Sequence, residues 1–97
     1  MPREAVGHRM DKSIHSKEYA VFLRHLRQAR KKAGMTQAQL ARRLTETQSF
    51  VSKCERGERR LDFVEVRRIC TVLQIDFPNF VARVHGSLAR GKGSRLK

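Results

Sequence analysis

From Ser16 to His85 the apolar residues of this chain recur at steps of three and four, and each run opens on a side chain able to cap a helix. That spacing lays the apolar residues on one stripe of an α-helix, and no stretch shows the alternation of a half-buried strand. The chain therefore reads as all-α. Ser16 caps a first helix whose stripe is Tyr19, Phe22, Leu23, Leu26, Ala29 and Ala33. Gly34 ends it, since glycine takes the left-handed cap conformation without a steric cost. Thr36, with Gln39 three residues on, makes a capping box ahead of Leu40, Ala41 and Leu44. After a tight turn at Thr45–Thr47, Thr47 caps a short helix running from Gln48 to about Arg56. Asp62 and Glu65 form a second box, with Leu61 and Val66 placed as a hydrophobic staple. The helix behind it buries Val66, Ile69, Cys70 and Leu73. A fifth helix opens between Asp76 and Pro78, where proline suits the first turn, and carries Phe80, Val81 and Val84.

At 97 residues the chain has room for one domain. Residues 1–16 mix Gly, Pro and both charge signs without a period, and read as a flexible arm. Residues 17–85 are the folded helical domain. Residues 86–97 hold Gly86, Gly91 and Gly93 beside Arg90, Lys92, Arg95 and Lys97, with no acidic residue, and read as a disordered basic tail.

The charge balance narrows the partners. Lys and Arg number 22 against 9 Asp and Glu, for a net charge of +13, which biases the chain toward polyanions. Nucleic acid leads, ahead of an anionic membrane surface or an acidic protein. The longest apolar run, Tyr19 to Leu23, is far too short to span a bilayer, and no charged-then-apolar leader opens the chain. A cytoplasmic protein is expected. Cys54 and Cys70 lie far apart without a CxxC motif, and His8, His15, His25 and His85 are scattered singly. Two buried small hydrophobes are expected there and no metal site. Nothing resembles a carboxylate pair, a Ser/His/Asp spacing or a phosphate loop, so neither an enzyme nor a cofactor is expected.

The informative stretch runs from Thr36 to Gly57. In its second helix Val51, Cys54 and Glu55 share one face at ~100° per residue. Ser49, Ser52, Lys53 and Arg56 share the opposite face, with Gln48 and Phe50 at its flanks. Such an outward face suits the major groove of double-stranded DNA. Gln can pair bidentately with adenine, Lys can donate to guanine, and a small Ser lets the backbone come close. Phe50 can meet a thymine methyl or pack against the preceding helix. Arg67 and Arg68 read as solvated.

Thr36-Gln37-Ala38, Leu40-Ala41, Gln48-Ser49-Phe50-Val51-Ser52-Lys53 and Glu55-Arg56-Gly57, at this spacing, resemble the lambda-repressor-like, or XRE, family of helix-turn-helix proteins. The resemblance covers about residues 20–84. It implies a five-helix domain whose second and third helices form the reading unit, flanked here by flexible basic termini. By position it implies base-reading roles for Gln48, Ser49, Lys53 and Phe50. It implies phosphate contacts from Gln37, Arg43, Arg56, Arg59 and Arg60. Arg30 and Glu55 resemble a pair bridging the first and third helices, with Arg30 also approaching a phosphate. Thr45 and Gln74 stand where the family often has glycine, and Cys54 fills a core position more often aliphatic or aromatic.

The function implied is that of a bacterial or phage transcriptional regulator, a repressor, working at the nucleoid on an inverted-repeat operator. A homodimer is expected through the last helix, at Phe80, Val81 and Val84. The alternative is the antitoxin of a toxin–antitoxin pair, whose main role is to hold a protein partner. The polar, basic ends of the chain favour the regulator.

Overall fold

The computed structural model describes residues 16–96, and among them the chain is five α-helices and no strand. They are α1 (Lys17–Lys32), α2 (Gln37–Leu44), α3 (Gln48–Glu55), α4 (Phe63–Leu73) and α5 (Phe77–Leu96). The arm expected over residues 1–16 falls outside the described residues except for Ser16, as does Lys97.

Each helix begins where a polar side chain takes up an orphan backbone donor. Ser16, Thr36, Thr47 and Asp62 accept from the N–H three residues on, and the Thr36–Gln39 and Asp62–Glu65 boxes are closed from both sides. Asp76 does the same for α5, its Oδ2 accepting from the Asn79 N–H at 3.1 Å. Each such cap contributes about 1 kcal/mol. The effect matters most for α2 and α3, which at eight residues each are too short to persist without packing.

The turns between helices carry the strain. Thr45 (φ 60°, ψ 44°) ends α2 and Gln74 (φ 60°, ψ 40°) ends α4, both in the left-handed region. An L-residue there costs roughly 1–2 kcal/mol. The turns hold because the helix-end carbonyls are taken: Glu46 N–H donates to Ala41 O at 2.9 Å and Ile75 N–H to Cys70 O at 3.0 Å.

One apolar cluster unites the helices. Leu26 of α1 meets Leu40, Ala41 and Leu44 of α2, Val51 and Cys54 of α3, and Val66, Ile69, Cys70 and Leu73 of α4, with Leu61 and Phe80 completing it. Cys54 and Cys70 are free, buried thiols, and burial pushes each up to about 11. Phe80, expected on a seam between copies, is instead only 2% exposed and among the largest fully buried side chains. It stacks edge-on against Phe22 of α1 at 6.4 Å.

The last helix departs from the sequence expectation. Residues 86–96, expected as a disordered tail, continue α5 as helix. The turn beyond His85 is anchored on the rest of the fold. Ser87 Oγ lies 2.8 Å from His25 Nε2 on α1, and Arg90 Nη2 reaches back to the same hydroxyl at 3.2 Å. Leu88 closes the end of an apolar groove with Phe22 and Val84. These contacts offset the ~1 kcal/mol that a glycine such as Gly86 costs within a helix. No helix among the described residues is long and apolar enough to cross a membrane.

Candidate nucleic-acid interface

The outward face of α3 is set by what α3 buries. Val51 and Cys54, each 3% exposed, point into the core, and that fixes the rotation of the helix. Its far end is held by a buried ion pair. Arg30 Nε donates to Glu55 Oε2 at 2.6 Å and Arg30 Nη2 to Glu55 Oε1 at 3.0 Å, a two-pronged contact that also sets orientation. Gln37 Nε2 donates to Glu55 Oε1 at 3.0 Å, and Arg30 Nη1 donates to Met35 O at 2.8 Å. One carboxylate thus ties α3 to α1, to the start of α2 and, through Arg30, to the α1–α2 junction. Arg27 Nη1 adds a bond to the Glu55 carbonyl at 3.3 Å. Both arginines sit at the carboxyl end of α3, where the helix dipole favours positive charge.

With that end fixed, Gln48, Ser49 and Lys53 stand exposed on the outer side. Thr47 Oγ1 accepts from Phe50 N–H at 3.1 Å and shapes the amino-terminal turn that presents Gln48. Phe50 does not join them. It is half-buried against the core, and the Arg59 guanidinium covers its ring at 4.9 Å from the centroid. In this structure Phe50 packs against the core.

The cations around α3 fall into two groups. Arg43 and Lys53 are exposed, and their side chains make no hydrogen bond or ion pair among the described residues. The same holds for Arg42, which sequence reasoning passed over. Arg56 and Arg59 are engaged. Arg56 donates to Glu58 through Nε at 2.9 Å and Nη2 at 3.1 Å, and reaches Ser52 Oγ as well. Arg59 Nη1 donates to Glu65 Oε1 and to Arg60 O, each at 2.7 Å. The hydrogen bonds from these guanidiniums hold the Glu58 and Glu65 carboxyls below their usual range. Arg60 lies over the Tyr19 ring at 5.3 Å, and Tyr19 Oη accepts from Leu61 N–H at 3.1 Å, so the loop after α3 is pinned to α1. Arg30 is 7% exposed, and its Nε, Nη1 and Nη2 donate to Glu55 and the Met35 carbonyl.

Two positioning residues escaped the sequence reading. Arg68, expected to be solvated, donates through Nη2 to Leu44 O at 2.8 Å and so braces the strained Thr45 turn from α4. Nothing in the local pattern marks that contact. Arg27 lies one turn before Arg30 on the same face of α1, a spacing that could have flagged it. Among the described residues no group of three or more His, Cys, Asp or Glu is arranged to hold a metal ion.

Residues 18–79 match a protein family described as a helix-turn-helix domain. None of the curated proteins matches the chain. Among solved structures it is similar to an XRE-family like protein from Pseudomonas syringae pv. tomato str. DC3000. The two are 40% identical over 79% of this chain and 96% of that one, with a TM-score of 0.70.

Proposed function

The chain belongs to the XRE-like helix-turn-helix family and is, as a member, a DNA-binding transcription regulator; we propose that it is a repressor, that it binds an inverted-repeat operator as a homodimer, and that α3 supplies its base contacts. The observation that carries this reading is the exposed trio Gln48, Ser49 and Lys53, on a helix whose rotation is fixed by Val51, Cys54 and the Arg30–Glu55 pair. In this motif the amino-terminal end of the reading helix enters the major groove. Gln48 is then the bidentate partner of an adenine, Lys53 donates to a guanine, and Ser49 admits the close approach.

Phosphate contacts come from Arg43 and Arg42 at the end of α2, from the backbone N–H of Gln37 at the start of α2, and from Arg60. Arg56 and Arg59 add to them when a phosphate displaces Glu58 or Glu65. Arg30 and Phe50 serve the fold and leave the DNA-contacting set. Two copies place their α3 helices about 34 Å apart, one turn of DNA. The protein works at the nucleoid, in the cytoplasm of a bacterium or of a phage's host. An antitoxin role, with a protein partner in place of the second copy, draws support from the exposed apolar Phe63 (69%) and Val64 (68%).

The test is a selection from random duplexes, followed by competition across all single-base changes of the best site. Gln48→Ala should relax preference at one base per half-site, at about 1–3 kcal/mol, and Lys53→Ala at a different base. Arg43→Ala should weaken every sequence alike, since a phosphate carries no sequence information. Base preferences unchanged in both α3 variants would remove α3 as the reader.

A further inference from the structure

A cleft of about 550 Å³ lies between α1 and α5, with the α4–α5 junction at its base. Its volume falls within the range of small-molecule sites, and apolar and charged side chains share its lining. The floor is Ala29, Leu73 and Ile75. Lys32 lines it from α1 and Arg83 from α5, with Asn79 and Asp76 beside Arg83. Neither Lys32 nor Arg83 makes a side-chain hydrogen bond or ion pair among the described residues.

The cleft is separate from the DNA-reading surface. At ~100° per residue, the cleft residues His25, Gln28 and Lys32 lie on the side of α1 away from Arg27 and Arg30, the residues that hold α3. On α5, Asp76, Asn79 and Arg83 form a stripe distinct from the Phe77–Val81–Val84–Leu88 face.

We propose that this cleft is a binding site for a small organic acid, its carboxylate held between Lys32 and Arg83 and an apolar body of a few carbons laid on Ala29, Leu73 and Ile75. The apolar floor selects an organic acid over a bare inorganic anion. The recess and the Asp76 carboxylate in its wall disfavour a nucleic-acid backbone, which needs an open and uniformly positive track. The inference does not rest on the DNA reading.

His25, at the edge of the cleft, is a built-in reporter. Its imidazole sits below the usual range, first through burial and then through the positive charges of Arg24 on its own helix and Arg83 and Arg90 on α5. Among the described residues its ring is hydrogen-bonded to Ser87 on α5. An anion bound at Arg83 offsets part of that positive field and favours the imidazolium, so the His25 titration moves upward.

The experiment follows backbone amide and His25 ring resonances of the full chain by NMR. The probes are hexanoate, hexylammonium with the same chain and opposite charge, inorganic phosphate, and a short duplex lacking the operator. Hexanoate should saturate shifts confined to residues 25–33 and 73–83 and raise the His25 titration midpoint, while hexylammonium leaves both unchanged. Arg83→Gln should weaken hexanoate about tenfold, the loss of one charge-assisted hydrogen bond. Should that variant not fold, the exposed Lys32→Gln, at the last turn of α1, carries the same expectation. Absent or unlocalised hexanoate shifts would overturn the assignment, as would equal binding of hexylammonium. Phosphate binding as tight as hexanoate would reduce the cleft to a general cationic patch. Saturable shifts there from the duplex would make it a polyanion face instead.

Discussion

Replacing Glu55 by alanine removes a carboxylate that is 5% exposed and accepts three hydrogen bonds, from Arg30 Nε, Arg30 Nη2 and Gln37 Nε2. Gln37 is half-buried and can turn to water. Arg30 cannot, because its side chain is 8% exposed and only Nη1 keeps a partner, the Met35 carbonyl. The variant therefore leaves a buried guanidinium without its counter-charge. Breaking a buried pair in this way costs about 3–5 kcal/mol, and the surviving bond to Met35 argues for the lower end. For a domain of this size about 3 kcal/mol lowers the melting temperature by roughly 12–24 °C. Arg30→Met alone should cost a similar amount, by stranding the carboxylate. The double variant Arg30→Met, Glu55→Leu buries two apolar side chains in place of two charges and should recover most of the loss. The assay is a double-mutant cycle by thermal and urea melts followed at 222 nm, with a coupling energy of about 2 kcal/mol or more expected. Additive single effects would show that the two side chains do not stabilise one another, and the account of how α3 is oriented would fail with them.

The buried Cys54 and Cys70 thiols, pushed up to about 11, should not react with a thiol-specific disulfide reagent at pH 8 in the native protein, and both should react in 6 M guanidinium. Rapid native labelling of either would mean that its helix opens readily. Thr45→Gly relieves a β-branched residue at φ 60° and should raise stability by about 0.5–1 kcal/mol, read as a shifted urea midpoint with an unchanged slope.

Local chemistry made most of this fold readable. The caps at Ser16, Thr36, Thr47 and Asp62 need only residues three apart, whereas Thr45 and Gln74, the left-handed ends of α2 and α4, were flagged only by the family resemblance. The outward face of α3 was legible for the same reason, because Val51 and Cys54 leave one rotation that closes the core. What was not legible depends on residues far apart in the chain. Arg68 reaches Leu44 across 24 positions and His25 reaches Ser87 across 62. Without the second contact, Gly86 among basic residues reads as the start of a tail. Phe50 could not be assigned from its place on the helix, because Arg59, nine residues on, decides which side of the ring is covered. Phe80 shows the same limit, since a helix period says which residues share a stripe and not which neighbour covers it.

With Phe80 buried at its base, the dimer seam we propose falls on the exposed apolar residues of the same groove. Val81 is 45% exposed, and with Val84, Leu88, Phe63 and Phe77 it lines an apolar groove. Phe63 meets Phe77 edge-on at 5.1 Å, which holds the rim in shape without a partner. A two-fold contact on this groove brings the same residues from both copies together, so any substitution counts twice. Val81→Asp would then place two carboxylates in one apolar interface. Burying a charge without a partner costs several kcal/mol, so dimer affinity should fall at least a hundredfold. The exposed position of Val81 leaves the monomer's own melting temperature nearly unchanged. Phe80→Ala, by contrast, should cost about 3–5 kcal/mol of folding stability through lost core packing. Sedimentation equilibrium on the wild type and Val81→Asp, beside gel-shift titration on one and two half-sites, separates these effects. The dimer reading expects Val81→Asp to sediment as a folded monomer, to keep its half-site contacts and to lose the tighter binding that two half-sites confer. A Val81→Asp chain that stays dimeric would move the seam elsewhere. A wild type that stays monomeric even on two half-sites would remove the homodimer altogether, leaving the groove for a different protein.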